Sequence, residues 1–328
     1  MTEQTLHHQH PATTPLDRRI VLAPVFGYCW GVRRTLALLE RAASQGPLAT
    51  VGDVIHNPQV VAALRSRGIE PVGSVAEAAA RGFQRIATTA HGAGPGRAQA
   101  AQQAGLEHID LTCPLVTRVQ RLAAKLVEQG YYLVVYGDAL HPEVRGILAW
   151  AGTSRACAAL APEAVPWLTN SHVPHKVAII SQTTKTADGF ATFAKRVVGP
   201  VIATGGEVRV VNTICQPTRD RQDAITHLAE QGVELVLVVG GRKSSNTARL
   251  VEVAQQLGLT ATRIEQADEI VPALLGDARI IGITAGASTP DYVITAVIDR
   301  LAAFGYARPV WPSQHDIGEI DDEMASLT

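Results

Sequence analysis

The 328-residue chain has no CxxC pair among its four cysteines, no excess charge of either sign, and no apolar run near the ~20 residues that cross a bilayer. Each absence closes a class of function. Lys+Arg 29 against Asp+Glu 30 leaves a formal net charge of −1, so there is no electrostatic footprint for a nucleic acid or an anionic membrane. Met1 to Arg19 is polar, carries His7, His8 and His10, and lacks the apolar core of a signal peptide. It reads as a flexible extension, and a cytoplasmic location is expected. Disulfides are then not expected, and the short paired spacings of closed zinc sites are missing. What is present, 46% hydrophobic and 18% charged residues, suits a compact enzyme of two or three domains.

Internal repetition is the central feature. One unit runs from Ile20 through Phe26-Gly-Tyr-Cys29-Trp-Gly-Val and a helical stretch to Gly52-Asp-Val-Ile-His56-Asn57. A second starts at Ile109-Asp-Leu-Thr-Cys113-Pro and passes a helix and the strand Tyr132-Leu-Val-Val-Tyr to Gly137-Asp-Ala-Leu-His141-Pro-Glu143. A third starts at Val211-Asn-Thr-Ile-Cys215 and ends its first strand at Gly240-Gly-Arg-Lys-Ser244-Ser245-Asn246. From cysteine to polar cluster is 27 residues (29 to 56), 28 (113 to 141) and 30 (215 to 245). A further strand in each unit leads to another polar turn: His91-Gly92, Gln182-Thr183-Thr184 and Gly286-Ala-Ser288.

The strands are nearly continuous Val/Ile runs alternating with helices, the pattern of buried parallel strands in βαβ units. Ligands in such sheets gather at the carboxyl ends of strands. A pseudo-threefold arrangement would therefore bring three cysteines and six polar turns to one point. The expected division is an extension 1–19, α/β domains at 20–110, 111–210 and 211–304, and a tail 305–328. Its acidic residues, Asp316, Glu319, Asp321, Asp322 and Glu323, suggest a solvated end.

Cys29, Cys113 and Cys215 each stand at a strand end just before a helix, with Pro114 and Pro217 in the first turn. Free N–H groups and the positive end of the helix dipole favour thiolate there. Three converging thiolates without a fourth partner fit an iron–sulfur cluster with one iron open to substrate. Cys157, in a small-residue stretch outside the repeats, reads as a packing residue.

His56, His91, His141, Ser244, Ser245, Asn246 and Ser288 are short hydrogen-bonding groups able, with backbone N–H groups, to hold phosphate oxygens. Singly each is weak evidence: a loop histidine is commonly a surface residue, and Ser-Ser-Asn before a helix is by default a cap. Recurrence at equivalent places in three units turns that reading toward a site. Glu143, beside His141, is the candidate proton donor, with burial raising its pKa. Asp53 and Asp138 read as turn residues.

Together these motifs resemble the 4-hydroxy-3-methylbut-2-enyl diphosphate reductase family, IspH or LytB. The resemblance rests on Gly27-Tyr-Cys29-Trp-Gly-Val, Val54-Ile-His56-Asn57, Ala90-His91-Gly92, Thr112-Cys113-Pro-Leu-Val-Thr and His141-Pro-Glu143-Val. It continues through Gln182-Thr183-Thr184, Cys215-x-x-Thr218-x-x-Arg221-Gln222, Ser244-Ser245-Asn246 and Thr284-Ala-Gly-Ala-Ser288, across about residues 20–304. It implies a cloverleaf of three α/β domains around a central 4Fe–4S cluster held by Cys29, Cys113 and Cys215. The implied reaction is reductive loss of the allylic hydroxyl, giving isopentenyl and dimethylallyl diphosphate in the methylerythritol phosphate pathway. His56, His91, His141, Ser244, Asn246 and Ser288 would hold the diphosphate, Glu143 would deliver protons, and Thr183 would order the hydroxyl end. Ser245 and Thr218 would support the pocket. Ferredoxin or flavodoxin would donate electrons, since no flavin or nicotinamide fingerprint occurs.

The chain departs from the family at Phe26, Tyr28, Trp30 and Pro217, around the cluster rather than at its ligands. A paralogue acting on another substrate therefore stays open. A lyase resembling quinolinate synthase would call for more arginine at the strand ends to bind carboxylates. An iron–sulfur sensor would call for a nucleic-acid-binding patch.

Overall fold

The computed structural model describes residues 18–152, 154–168 and 172–311. His7, His8, His10 and the acidic stretch beyond residue 311 lie outside the described residues.

Twelve described strands form three four-stranded sheets, every pairing parallel. One sheet is built from β2 (Leu48–Val51), β3 (Ile69–Val72), β4 (Arg85–Thr88) and β5 (Glu107–Asp110), in the order β3-β2-β4-β5. The next takes β6 (Tyr132–Tyr136), β7 (Ala156–Ala159), β8 (Lys176–Ser181) and β9 (Glu207–Val210), in the order β7-β6-β8-β9. The last has β10 (Leu235–Val239), β11 (Thr260–Ile264), β12 (Ile280–Ala285) and β1 (Arg19–Leu22), in the order β1-β12-β10-β11. The central strands are the apolar runs: all five residues of β10 are buried, and helices cover both faces. Burying a Val or Leu side chain fully stabilises by about 1.5–3 kcal/mol, so these strands anchor each sheet.

The expected boundary at residue 20 is corrected by β1. That strand does not open the first sheet; it pairs with β12, Arg19 opposite Ile280 and Leu22 opposite Ile283, and completes the third. Parallel pairing leaves no local sequence signal, since the partner lies beyond a long crossover. Two further boundaries move with it. Arg19, assigned to the extension, is the first residue of β1. Tyr306, assigned to a solvated tail, is buried in the core of the third sheet, and Ala307 bridges Arg19.

The three sheets thus share one plan, with the chain's first strand closing the last sheet. Each outer strand, β1, β5 or β9, is followed by a cysteine and a helix that crosses to the next sheet. Polar turns follow the two central strands of every sheet, at the point where connections diverge to opposite sides. No helix among the described residues is long and apolar enough to cross a membrane.

Candidate active site

Cys29, Cys113 and Cys215 are the N-cap residues of the helices Trp30–Ala43, Pro114–Glu128 and Gln216–Glu230. Cys29 and Cys215 have extended backbone, and none of the three uses its side chain as a cap. Their own N–H groups follow a threefold rule. Cys29 donates to the Ala287 carbonyl (3.2 Å), Cys113 to Ala90 (3.1 Å) and Cys215 to Thr183 (3.1 Å). Each acceptor lies in a polar turn after a central strand, so every thiol is locked to one of the turns predicted to bind substrate.

All three thiols are free, and they face one another. A Cβ at Gly31 would come within 2.6 Å of Cys113 Sγ and 3.9 Å of Cys29 Sγ, so the absent side chain is what lets the two approach. The expected lowering of thiol pKa at helix starts is not found. Burial pushes Cys113 up to about 12 and Cys215 up to about 11, against N–H donors from Leu115 and Val116 to the first and the Thr218 hydroxyl contact at the second. Desolvation outweighs the helix ends, and mutual repulsion among the thiols adds to it. Such buried thiols become thiolates when a cation enters. The three do not crowd to the separation of a single-ion site; among the described residues only His56, His91 and His141 do. Three free, spaced thiols with no fourth cysteine fit an iron–sulfur cluster with one iron lacking a protein ligand.

The histidines form a second focus. His56 and His91 stack at 4.2 Å between centroids, and His141 stands edge-on to both, at 5.2 and 5.5 Å. Their nitrogens lie within 4.8 Å of one another, close enough to share a metal ion or one anion. Burial lowers all three pKa values: His56 below its usual range, His91 well below it, and His141 to about 4. Lys243 adds to this at His56, and the neighbouring His56 ring and Lys185 add to it at His141. The rings are neutral donors rather than imidazolium. His141 Nδ1 accepts the Glu143 N–H (3.2 Å), which places its proton on Nε2, free to donate. Both ring nitrogens of His56 are buried without a partner, as a group awaiting a ligand would be.

Glu143, 2% exposed, opens the helix Pro142–Ala151. Its Oε1 accepts the Thr183 N–H (2.7 Å) and its Oε2 the Thr183 hydroxyl (2.8 Å). Burial raises its pKa; those two bonds and Lys185 pull the other way. Because Thr183 also accepts the Cys215 N–H, carboxyl, hydroxyl and thiol are one connected group.

The third sheet supplies the remaining donors. Asn246 Nδ2 donates to Thr218 Oγ1 (3.3 Å) and its Oδ1 accepts the Ala287 N–H (3.0 Å). The Cys215 thiol donates to the same Thr218 oxygen (3.1 Å). Ser244 does act as the N-cap of the helix Ser245–Gln256, accepting from Thr247, so its hydroxyl proton stays available. Ser245 accepts from Thr184 (3.0 Å), and Ser288 reaches the His56 carbonyl at 3.5 Å. Cys157 lies apart, in β7, packed against the core of the second sheet.

Gln120 and Lys185, given no role from the sequence, belong here together with Gln182 of the predicted polar turn. Gln120 stands on the buried face of the helix Pro114–Glu128, wedged between Gly92 and Gly146 with Nε2 unpartnered. Gln182 anchors the Asp138 N–H through Oε1 (3.2 Å) while its Nε2 is unpartnered. Lys185, 3% exposed, sits close enough to His141 and Glu143 to act on both. A polar residue on an otherwise apolar helix face was the one visible signal, at Gln120.

Comparison with known proteins agrees with this arrangement. A family model described as LytB protein matches residues 20–302. Curated proteins named 4-hydroxy-3-methylbut-2-enyl diphosphate reductase are similar: that of Dehalococcoides mccartyi (strain CBDB1) is 37% identical over 289 residues, covering 87% of this chain and 99% of its own. That of Aquifex aeolicus (strain VF5) is 36% identical, covering 86% and 95%. A solved structure of (E)-4-hydroxy-3-methyl-but-2-enyl diphosphate reductase, the terminal enzyme of the non-mevalonate pathway, shares 33% identity. It covers 87% of this chain and 99% of that one, with a TM-score of 0.62. The Plasmodium falciparum E-1-hydroxy-2-methyl-but-2-enyl-4-diphosphate reductase, at 22% identity, covers 94% and 99% with a TM-score of 0.80, a likeness of fold. The chain belongs to the LytB family, the 4-hydroxy-3-methylbut-2-enyl diphosphate reductases.

Proposed function

We propose that this chain converts 4-hydroxy-3-methylbut-2-enyl diphosphate to isopentenyl and dimethylallyl diphosphate, with Cys29, Cys113 and Cys215 holding a 4Fe–4S cluster. The net change is loss of the allylic C–O bond with uptake of two electrons and two protons, releasing water. When bound, the cluster supplies the electrons, and its iron without a protein ligand supplies a Lewis acid. The observation that carries the reading is the triple lock of cysteine N–H groups onto the turns that present His91, Thr183 and Ser288.

His56, His91 and His141 donate N–H groups to the diphosphate. Neutral imidazoles do this without the cost of carrying buried charge, and Lys185 and Lys243 offset the anion from nearby. Ser244, Asn246 and Ser288 close the other side, with Ser245 and Thr218 fixing the turn. Thr183 orders the hydroxyl end. Glu143, protonated more readily than an exposed glutamate, passes a proton through the Thr183 hydroxyl. Buried thiols survive best in a reducing cytoplasm, with ferredoxin or flavodoxin as the electron donor.

Anaerobic turnover of reconstituted protein with reduced methyl viologen tests the reading. Substrate-dependent oxidation of the dye with five-carbon diphosphate products supports it. A loaded cluster with no turnover would point to a different substrate, with Phe26, Tyr28, Trp30 and Pro217 as the places to look.

A further inference from the structure

Arg221 lies on the helix Gln216–Glu230, beyond Cys215, and is 4% exposed. A guanidinium buried so deeply is ordinarily matched by a carboxylate, because an unpaired interior charge is costly. Arg221 makes no ion pair with a carboxylate among the described residues. It is held by carbonyls alone. Nε and Nη2 both donate to the Gly27 carbonyl (3.1 and 2.7 Å), and Nη1 donates to that of Pro217 (2.8 Å). The groups whose charge favours it are the Cys29 and Cys215 thiols and Asp220; Arg33 opposes it.

Gly27 stands two residues before Cys29, and its backbone is in the left-handed region (φ 71°). A Cβ there would meet Ile294, Asp291 and the Thr289 carbonyl within 3.4 Å, so the loop has little freedom to shift. Arg221 therefore bridges the loop that carries Cys29 and the helix that Cys215 begins. Its charge is left to act on the Cys29 and Cys215 sulfurs on either side of that bridge.

We infer that Arg221 is a positioning residue for the cluster, joining the Cys29 loop to the Cys215 helix and setting a fixed positive charge beside two of the three thiolates. The inference rests on the cluster reading proposed above. A thiolate-ligated cluster becomes more negative on reduction, and a cation fixed in a water-poor interior favours the reduced form. Arg221 thus raises the reduction potential. Lysine keeps the charge but not the fork that grips one carbonyl from two nitrogens.

The test compares wild type, R221K and R221M after anaerobic reconstitution, by iron and sulfide content and by a reductive titration followed with absorbance and EPR. At equal iron per chain, R221M should titrate at a more negative midpoint than wild type. R221K should stay near the wild-type midpoint while loading less cluster. An R221M midpoint equal to wild type overturns the inference, because a purely structural arginine would change loading and not potential. If R221M does not retain a cluster, R221K decides: a midpoint near wild type supports the role of charge, and one displaced well below it overturns that role. Wild type that takes up no cluster defeats the cluster reading and this inference together.

Discussion

Three bonds fix Glu143. Its N–H goes to His141, and its two oxygens take the amide and hydroxyl of Thr183. Replacing it with glutamine keeps the shape and removes the acid. Glu143→Gln should lower turnover by about 10²-fold or more with an unchanged cluster spectrum; loss of iron instead would contradict its role. Cys157→Ser should leave iron content unchanged, since Cys157 packs in the second sheet away from the other thiols. The histidines make a prediction about pH. Their folded pKa values lie below the ordinary 6.5, about 4 for His141, so between those values the unfolded chain binds more protons. Stability of the cluster-free protein should therefore rise from pH 5 to 7, by up to about 1.4 kcal/mol per pH unit for each fully coupled imidazole. Urea unfolding at both pH values checks this, and His91→Asn should flatten the slope. A slope of opposite sign would contradict the burial of neutral rings.

A recurring element carries the site: outer strand, cysteine, helix. Its parts were legible in the sequence because cysteine and the Pro114 or Pro217 helix start interrupt apolar runs at regular distances. What was not legible is what a folded neighbour does to them. The Cys113 and Cys215 thiols are raised, not lowered, because desolvation and the neighbouring Cys29 outweigh the helix ends. Likewise nothing in the sequence shows that Arg221, quoted only as a motif residue, and Lys185 are buried. Two glycines show how tightly the elements meet. Gly31→Ala would place its Cβ 2.6 Å from Cys113 Sγ, and iron loading should fall while the fold persists. Gly241→Ala would place its Cβ 2.2 Å from the His56 carbonyl, a backbone atom that cannot swing aside. The His56 turn should move, and KM for the diphosphate should rise more than kcat falls; an unchanged KM would count against His56 as a substrate ligand.

Across the whole molecule, the threefold plan closes on itself. The repeats announced three α/β units, but the closing pair of β1 with β12 could not be read from them, because Arg19–Leu22 is only four residues of generic strand. Its partner was visible only as another strand ending in a polar turn, and Tyr306 beneath it looked like tail. Deleting Met1–Leu22 removes an edge strand of the third sheet, the strand that anchors the segment leading to Cys29. The product should lose cluster and cooperative unfolding together, as followed by circular dichroism on heating. On the proposed reading, Cys29, Cys113 and Cys215 hold one cluster and leave one iron to the substrate. Mössbauer spectroscopy of protein reconstituted with iron-57, with and without the diphosphate, tests it most directly. One iron site should differ from the others, and its signal alone should change when substrate is added. Four indistinguishable sites, or a spectrum unmoved by substrate, would contradict it.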